Sequence, residues 1–214
     1  MNKKAMYAIS YGLFVVTARR GEFDNGCITN TVAQVTAEPN RISVAVNKAN
    51  YTCGMILESG CFTASVIAQD ATFDLFQRFG FQSGKDTDKF EGFGAVRRAE
   101  NGTLIVTQGC NAWISAKMEQ AIDLGSHMLF IAEVTDMDVL SDVPSATYAY
   151  YQSEIKPKPE PKPEAVGKTE DGKTIWRCRI CGYEYVGEEL PEDFICPICK
   201  HPASDFEKVS SFKI

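Results

Sequence analysis

Two short cysteine spacings constrain this chain more than any other feature. Two residues lie between Cys178 and Cys181, and two between Cys196 and Cys199, and all four cysteines fall within residues 176–206. In a Cys-x-x-Cys knuckle the backbone turns so that both sulfurs face one point. Two such knuckles make a tetrahedral four-sulfur site, which suits either zinc or iron. Gly182 follows the first pair and Pro197 interrupts the second. Paired knuckles at this spacing read as metal ligands rather than as disulfides or free thiols.

The residues around the knuckles bear on which metal is held. Trp176, Tyr183, Tyr185, Phe194 and Phe206 supply an apolar core for a very small fold around the metal. A nucleic-acid-binding zinc ribbon would expose lysine and arginine, whereas the intervening loop carries Glu188, Glu189, Glu192 and Asp193. The pattern W-x-C-x-x-C-G-Y-x-Y, then P-x-x-F-x-C-P-x-C and a distal Asp-Phe, resembles rubredoxin, the one-iron electron carrier. Fourteen residues separate Cys181 from Cys196. That loop is shorter than in free-standing rubredoxins and resembles the rubredoxin-like domain at the end of rubrerythrins. The resemblance implies one iron bound by Cys178, Cys181, Cys196 and Cys199. A whole rubrerythrin is excluded: its di-iron site needs Glu-x-x-His pairs, and the two histidines, His127 and His201, have Leu124 and Ile198 three residues before them.

Composition bounds the rest. A chain of 214 residues accommodates one domain plus a small module. Net charge is -6 at neutral pH, which argues against nucleic acid as a partner. No apolar run reaches transmembrane length, and the lysines near the start are not followed by a long apolar region, so neither a membrane span nor a signal peptide is expected. The remaining cysteines, Cys27, Cys53, Cys61 and Cys110, are scattered. They read as small buried hydrophobes in a reduced, cytoplasmic protein.

Residues 154–173 read EIKPKPEPKPEAVGKTEDGK, with proline alternating with charge. This is a solvated, semi-extended linker. It divides the chain into a domain at 1–153 and a metal domain at 174–214. The first reads as mainly β. Strands are expected over 12–18, 27–36, 41–47, 61–68, 103–107, 113–122 and 127–134, with helices over 52–59 and 72–79. Regularly spaced strands with turn signals suggest a barrel with a few helices. No Gly-x-Gly-x-x-Gly or phosphate loop is present, so a Rossmann domain is not supported.

Gly26-Cys27-Ile28-Thr29-Asn30-Thr31, the Glu38-Pro39 turn, the strand at 42–47, Lys48-Ala49-Asn50-Tyr51-Thr52, and Gly125-Ser126-His127-Met128-Leu129-Phe130-Ile131-Ala132-Glu133-Val134 occur in that order. Together they resemble the flavin reductase-like family of FMN-binding split β-barrels. Ser126 and Ala132 stand where that family usually has Asp and Gly. The resemblance implies that Thr29, Asn30 and Thr31 meet the flavin ring, that Asn47, Lys48, Tyr51 and Thr52 lie by its ribityl chain and phosphate, and that His127 lies near flavin or nicotinamide. Thr52, opening a helix, can offer a phosphate the helix N-terminus. Lys89 is a weaker candidate for phosphate or nucleotide contact.

The fusion of both modules resembles the high-molecular-weight rubredoxins. It implies an electron-transfer oxidoreductase that carries electrons from NADH or NADPH through FMN to the iron centre. From there they pass to a redox partner such as a flavodiiron protein. The split-barrel resemblance implies a homodimer. The rival expectation is an FMN-binding protein whose last domain is a structural zinc ribbon used for docking.

Overall fold

The computed structural model describes residues 2–157, 174–179, 182–197 and 202–209. Two compact units divide between Lys156 and Pro157. Unit 1 is built on a seven-stranded antiparallel sheet. Its strands are β1 (Phe14–Arg20), β2 (Phe23–Thr29), β3 (Ala33–Ala37), β4 (Asn40–Asn47), β5 (Cys61–Ile67), and two longer ones, β8 (Cys110–Asp123) and β9 (His127–Val139). The spatial order is β2-β1-β5-β8-β9-β4-β3. A separate hairpin pairs β6 (Val96–Arg98) with β7 (Leu104–Val106).

Alternation drives the sheet. Ile42, Val44 and Val46 of β4 are buried and pack with Val16, Ala18, Phe62, Ala64, Phe130 and Ala132. Helix α1 (Tyr51–Ser59) adds Cys53, Met55 and Ile56 to this core and stops at Gly60, whose φ of 70° is left-handed and suits glycine. Helix α2 (Phe73–Gly80) presents Leu75, Phe76 and Phe79 to a second core with Val15, Ile67, Val106 and Cys110. The last helical segment, α3 (Tyr148–Tyr150), continues as a π-turn over Tyr151–Ile155, and Tyr151 stacks on Phe76 at 4.3 Å between ring centroids. No described helix is long and apolar enough to cross a membrane.

The mainly β barrel expected from the sequence is observed, with three local differences. The strand expected over 27–36 is two strands, because the chain breaks at Asn30–Val32. The Thr31 hydroxyl donates to the Ala45 carbonyl at 2.7 Å and accepts from the Ala45 N–H at 3.1 Å, while the Thr29 hydroxyl also reaches that carbonyl at 3.3 Å. Side-chain bonds thus join the end of β2 to β4, where a continuous strand would have carried the chain past. The strand expected over 103–107 is only β7, set in its own hairpin. Buried hydroxyls fasten it to the sheet: Thr17 donates to the Leu104 carbonyl, and the Val106 N–H donates to Ser65. The sequence also gave no sign of β6 or of the helix after Thr147.

Removing the Thr31 hydroxyl tests the closure. Thr31→Val keeps the shape but leaves the Ala45 N–H and carbonyl without that partner, and is expected to cost on the order of 1–2 kcal/mol in urea unfolding.

Unit 2 is a three-stranded sheet in the order β11-β10-β12, with β10 Thr174–Cys178, β11 Glu184–Gly187 and β12 Phe206–Val209. Its buried centre is Cys178, Cys196 and Phe206, with Trp176, Tyr183, Tyr185, Leu190 and Phe194 packed against them.

Candidate functional site

The candidate residues of unit 1 gather mainly where β4 and β9 meet two turns. Asn47 pairs with His127 across β4 and β9, and Ala45 pairs with Leu129. Because Val44 and Val46 face the core, Ala45 and Asn47 share the opposite face. Thr29 and Thr31, bonded to Ala45, border that same face. Thr29, Asn30, Thr31, Asn47 and His127 therefore belong to one surface, with Ala45 and Leu129 as its apolar floor.

The turns are clasped together. The Lys48 N–H donates to the Ser126 carbonyl at 3.0 Å, and Lys48 Nζ lies 2.8 Å from Asp123 Oδ2. Asp123 Oδ1 accepts from the Gly125 N–H at 2.8 Å, and Gly125 takes a φ of 85°. The Lys48 hydrogen bond and then the Gly125 amide hold the Asp123 carboxyl below its ordinary value. Ser126 Oγ is 2.9 Å from His127 Nδ1, which leaves Nε2 for another partner. Asn47 Oδ1 accepts from the Ala49 N–H at 2.9 Å and so shapes the turn into α1.

At the start of α1, Tyr51 and Thr52 differ in role. The Tyr51 hydroxyl accepts from Arg20 at 3.2 Å, and the guanidinium lies 5.3 Å from the Tyr51 ring centroid. Arg20 also pairs with Glu58 at 2.6 Å and lies beside Gly54, where no side chain obstructs it. The Thr52 side chain is fully buried, and its hydroxyl accepts from Asn25 Nδ2 at 3.0 Å. It also hydrogen-bonds Cys27, whose thiol is pushed up chiefly by burial. What Thr52 offers to a ligand is its backbone N–H, one of the helix's first amides, which have no intrahelical acceptor. The Asn50 side chain makes no capping bond there.

Lys89 stands apart from this surface. It is 3% exposed, and its ammonium donates to the carbonyls of Gly26 at 2.8 Å and Phe79 at 3.1 Å. A group held this way is not presented to an incoming phosphate. Sequence reasoning missed the clasp residue Asp123, the Ser126 hydroxyl as partner of His127, and Arg20. Only Ser126 left a trace, as a departure from the family pattern beside a rare histidine. A separate cleft of about 530 Å³, lined in part by Ile9, Tyr11, Tyr148 and Gln152, contains none of the candidate residues.

In unit 2, Cys178 and Cys196 are buried at 1% and 0% exposure within one cluster. Two hydrogen bonds lie beside Cys178. Gly182 donates to the Cys178 carbonyl at 2.9 Å with a φ of 79°, and the Cys178 N–H donates to the Tyr183 carbonyl at 2.8 Å. The Arg179 guanidinium ties the end of β10 to the turn at Ala203–Asp205 by donating to the Ser204 carbonyl at 2.6 Å. Cys181, Cys199 and His201 lie outside the described residues. Two buried thiols in one cluster, Cys178 at the end of β10 and Cys196 in a loop, fit with their aromatic shell the sulfur donor set that iron or zinc requires.

This fold and these sites define the class. The flavin reductase like domain family matches residues 6–158, and the rubrerythrin, rubredoxin-like domain family matches residues 176–207. The chain belongs to the flavin reductase like family and carries a rubredoxin-like domain behind it. It is 35% identical to the high molecular weight rubredoxin of Moorella thermoacetica, over 98% of this chain and 100% of that protein. Over 71% of this chain and 89% of the other, it is 39% identical to a ferric-chelate reductase (NAD(P)H) of Archaeoglobus fulgidus. Among solved structures, the flavin reductase component of a bacterial two-component tryptophan halogenase shares the fold. Its TM-score is 0.60 at 22% identity, covering 68% of this chain and 90% of that one.

Proposed function

We propose that this chain is an electron-transfer flavoprotein. NADH or NADPH supplies electrons at unit 1, FMN held there receives them, and an iron held by Cys178, Cys181, Cys196 and Cys199 passes them to a redox partner. What carries this reading is that the similarity to a high molecular weight rubredoxin runs through both modules rather than one. The similarity of unit 1 to the Archaeoglobus ferric-chelate reductase (NAD(P)H) supports a nicotinamide nucleotide as its donor.

The residues divide the work of holding FMN. Ala45 and Leu129 form the apolar floor for the ring, and the backbone and short side chains of Thr29, Asn30 and Thr31 border it with hydrogen-bonding groups. Asn47 lies toward the ribityl chain. The first amides of α1, at Tyr51 and Thr52, together with Lys48, take the phosphate. His127, fixed through Nδ1 by Ser126, keeps Nε2 for the nicotinamide or the flavin edge. Positioning is the protein's main contribution. Bound FMN takes a two-electron hydride and can release electrons singly, which matches a one-iron acceptor.

At the other end, Glu188, Glu189, Glu192 and Asp193 are exposed. They steer a basic face of the partner toward unit 2, and a flavodiiron protein fits that role. A homodimer formed over the face shared by β8, β9 and β4 would cover Ile122 of β8, which is 44% exposed and pairs with Leu129. A reduced, cytoplasmic setting suits the thiols.

The test is anaerobic addition of NADH, and separately NADPH, to protein loaded with FMN and iron. The ferric-thiolate absorption is expected to bleach with one of them. Persistence of that colour with both cofactors in place would assign the donor role to a separate reductase. Equimolar zinc, with no visible absorption beyond flavin, would favour the docking-ribbon reading. The Archaeoglobus relative motivates one more arm: ferric-chelate reduction that survives intact in Cys196→Ser would place that acceptor directly at unit 1.

A further inference from the structure

The most unusual group in unit 1 is a lysine in its interior. Lys89 is 3% exposed, and its ammonium is hydrogen-bonded to two backbone carbonyls, Gly26 of β2 and Phe79 near the end of α2. Among the described residues no carboxylate pairs with it. Among the described residues, the ionisable group that acts on it is the Cys27 thiol, itself buried and pushed up by that burial. Burying a cation is costly, and such groups are normally paired.

The surroundings hold this cation in place from three sides. The Phe79 ring lies so near Gly26 that a Cβ there would come within 3.2 Å of it. Phe79 also packs against Phe90 and Phe93, at 5.2 and 5.4 Å between centroids. Arg78 donates to the carbonyls of Lys89 and Glu91 and lies over the Phe93 ring. The stretch that carries Lys89 is therefore folded down onto β2, and the ammonium is seated behind the strand three residues before Thr29. At the rise of an extended strand, that is about 10 Å.

We infer that Lys89 is a positioning residue that both anchors β2 where it enters the Thr29–Thr31 segment and raises the reduction potential of a flavin held there. This rests on the reading that FMN occupies that segment. Uptake of two electrons and one proton leaves the flavin with one more negative charge than before. A fixed cation behind the binding segment favours that state over the oxidised one. At about 10 Å and an effective interior dielectric near 20, one unit charge changes the reduction equilibrium roughly tenfold.

The experiment is spectroelectrochemistry on the FMN-loaded full chain, comparing wild type with Lys89→Gln and Lys89→Arg. Glutamine keeps N–H donors for the carbonyls without the charge, and arginine keeps the charge. Lys89→Gln is expected to bind reduced FMN about tenfold less tightly relative to oxidised FMN, a fall of about 30 mV for a two-electron couple. Lys89→Arg is expected to stay nearer wild type. A second measurement needs no variant: the side-chain ammonium of Lys89 in the wild-type holoprotein, followed by nitrogen-15 NMR, should be protonated at neutral pH and should shift when the flavin is reduced. A potential unchanged in Lys89→Gln, or an NMR signal that is neutral or indifferent to reduction, overturns this inference while leaving FMN binding intact. Failure of the wild-type chain to bind FMN at all overturns the flavin reading, and this inference with it.

Discussion

Replacing Cys196 by serine is expected to strip the metal from unit 2 and unfold that unit, while the melting of unit 1 stays where it was. The reason is size. The described interior of unit 2 is Cys178, Cys196 and Phe206, with a few aromatics half-buried around them. A fold this small cannot balance the entropy of ordering its chain with so little apolar burial. Metal ligation supplies the difference, and structural four-ligand sites contribute roughly 10–16 kcal/mol. Serine removes one thiolate from the set and leaves a buried hydroxyl with poor affinity for a soft site. The checks are metal analysis, loss of the thiolate absorption bands, and rapid proteolysis confined to residues after 157. A serine variant that keeps a full complement of metal and resists protease would refute the ligand role of Cys196. Treating the wild type with a strong chelator should reproduce the same loss without touching the far-ultraviolet signal of the barrel.

How legible each site was depended on how local its chemistry is. The rubredoxin-like module was readable because its cysteine spacings and the aromatics around them fall within one short stretch. The barrel strands were readable wherever burial imposed strict alternation, as in β4. Thr29–Thr31 misled, because threonine favours strands and nothing local indicates that two hydroxyls will instead bond the backbone of β4. Lys89 misled for a similar reason. It read as a candidate phosphate or nucleotide contact between charged neighbours, yet Phe90 and Phe93 pack against Phe79 and the lysine lies inside. Thr52 was placed correctly at the head of α1, but its hydroxyl turns to Asn25. Long-range partners such as Asp123 for Lys48 have no signature in a single sequence.

The second large effect is the loss of barrel stability in alkali. Burial pushes the Cys110 thiol up to about 12, with the nearby Asp70 charge adding to it. Burial, then the neighbouring Tyr148, pushes the Tyr151 phenol up to about 12 as well. In the unfolded chain a thiol ionises near 8.5 and a phenol near 10. Both folded values are raised, so the stability they contribute is complete below the unfolded values. It drains away as pH climbs toward the folded ones, because the unfolded chain has by then released protons that the folded chain keeps. At about 1.4 kcal/mol per pH unit, Cys110 can withdraw roughly 4–5 kcal/mol by pH 12 and Tyr151 roughly 3. Cys27 and Cys53 are also raised, first by burial, and act in the same direction. Lys89 opposes them. Burial lowers its value, so the cost of its charge is relieved as pH rises toward the ordinary lysine range. The buried thiols and the phenol outnumber it, and the net slope is downward. Urea unfolding of the reduced protein from pH 7.5 to 11, followed by circular dichroism, should show stability falling above about pH 9. Cys110→Val, which keeps an apolar side chain and discards the ionisable group, should flatten that limb. A stability that holds level or rises from pH 8.5 to 11 in the wild type would mean that Cys110 and Tyr151 are not held protonated by the second core.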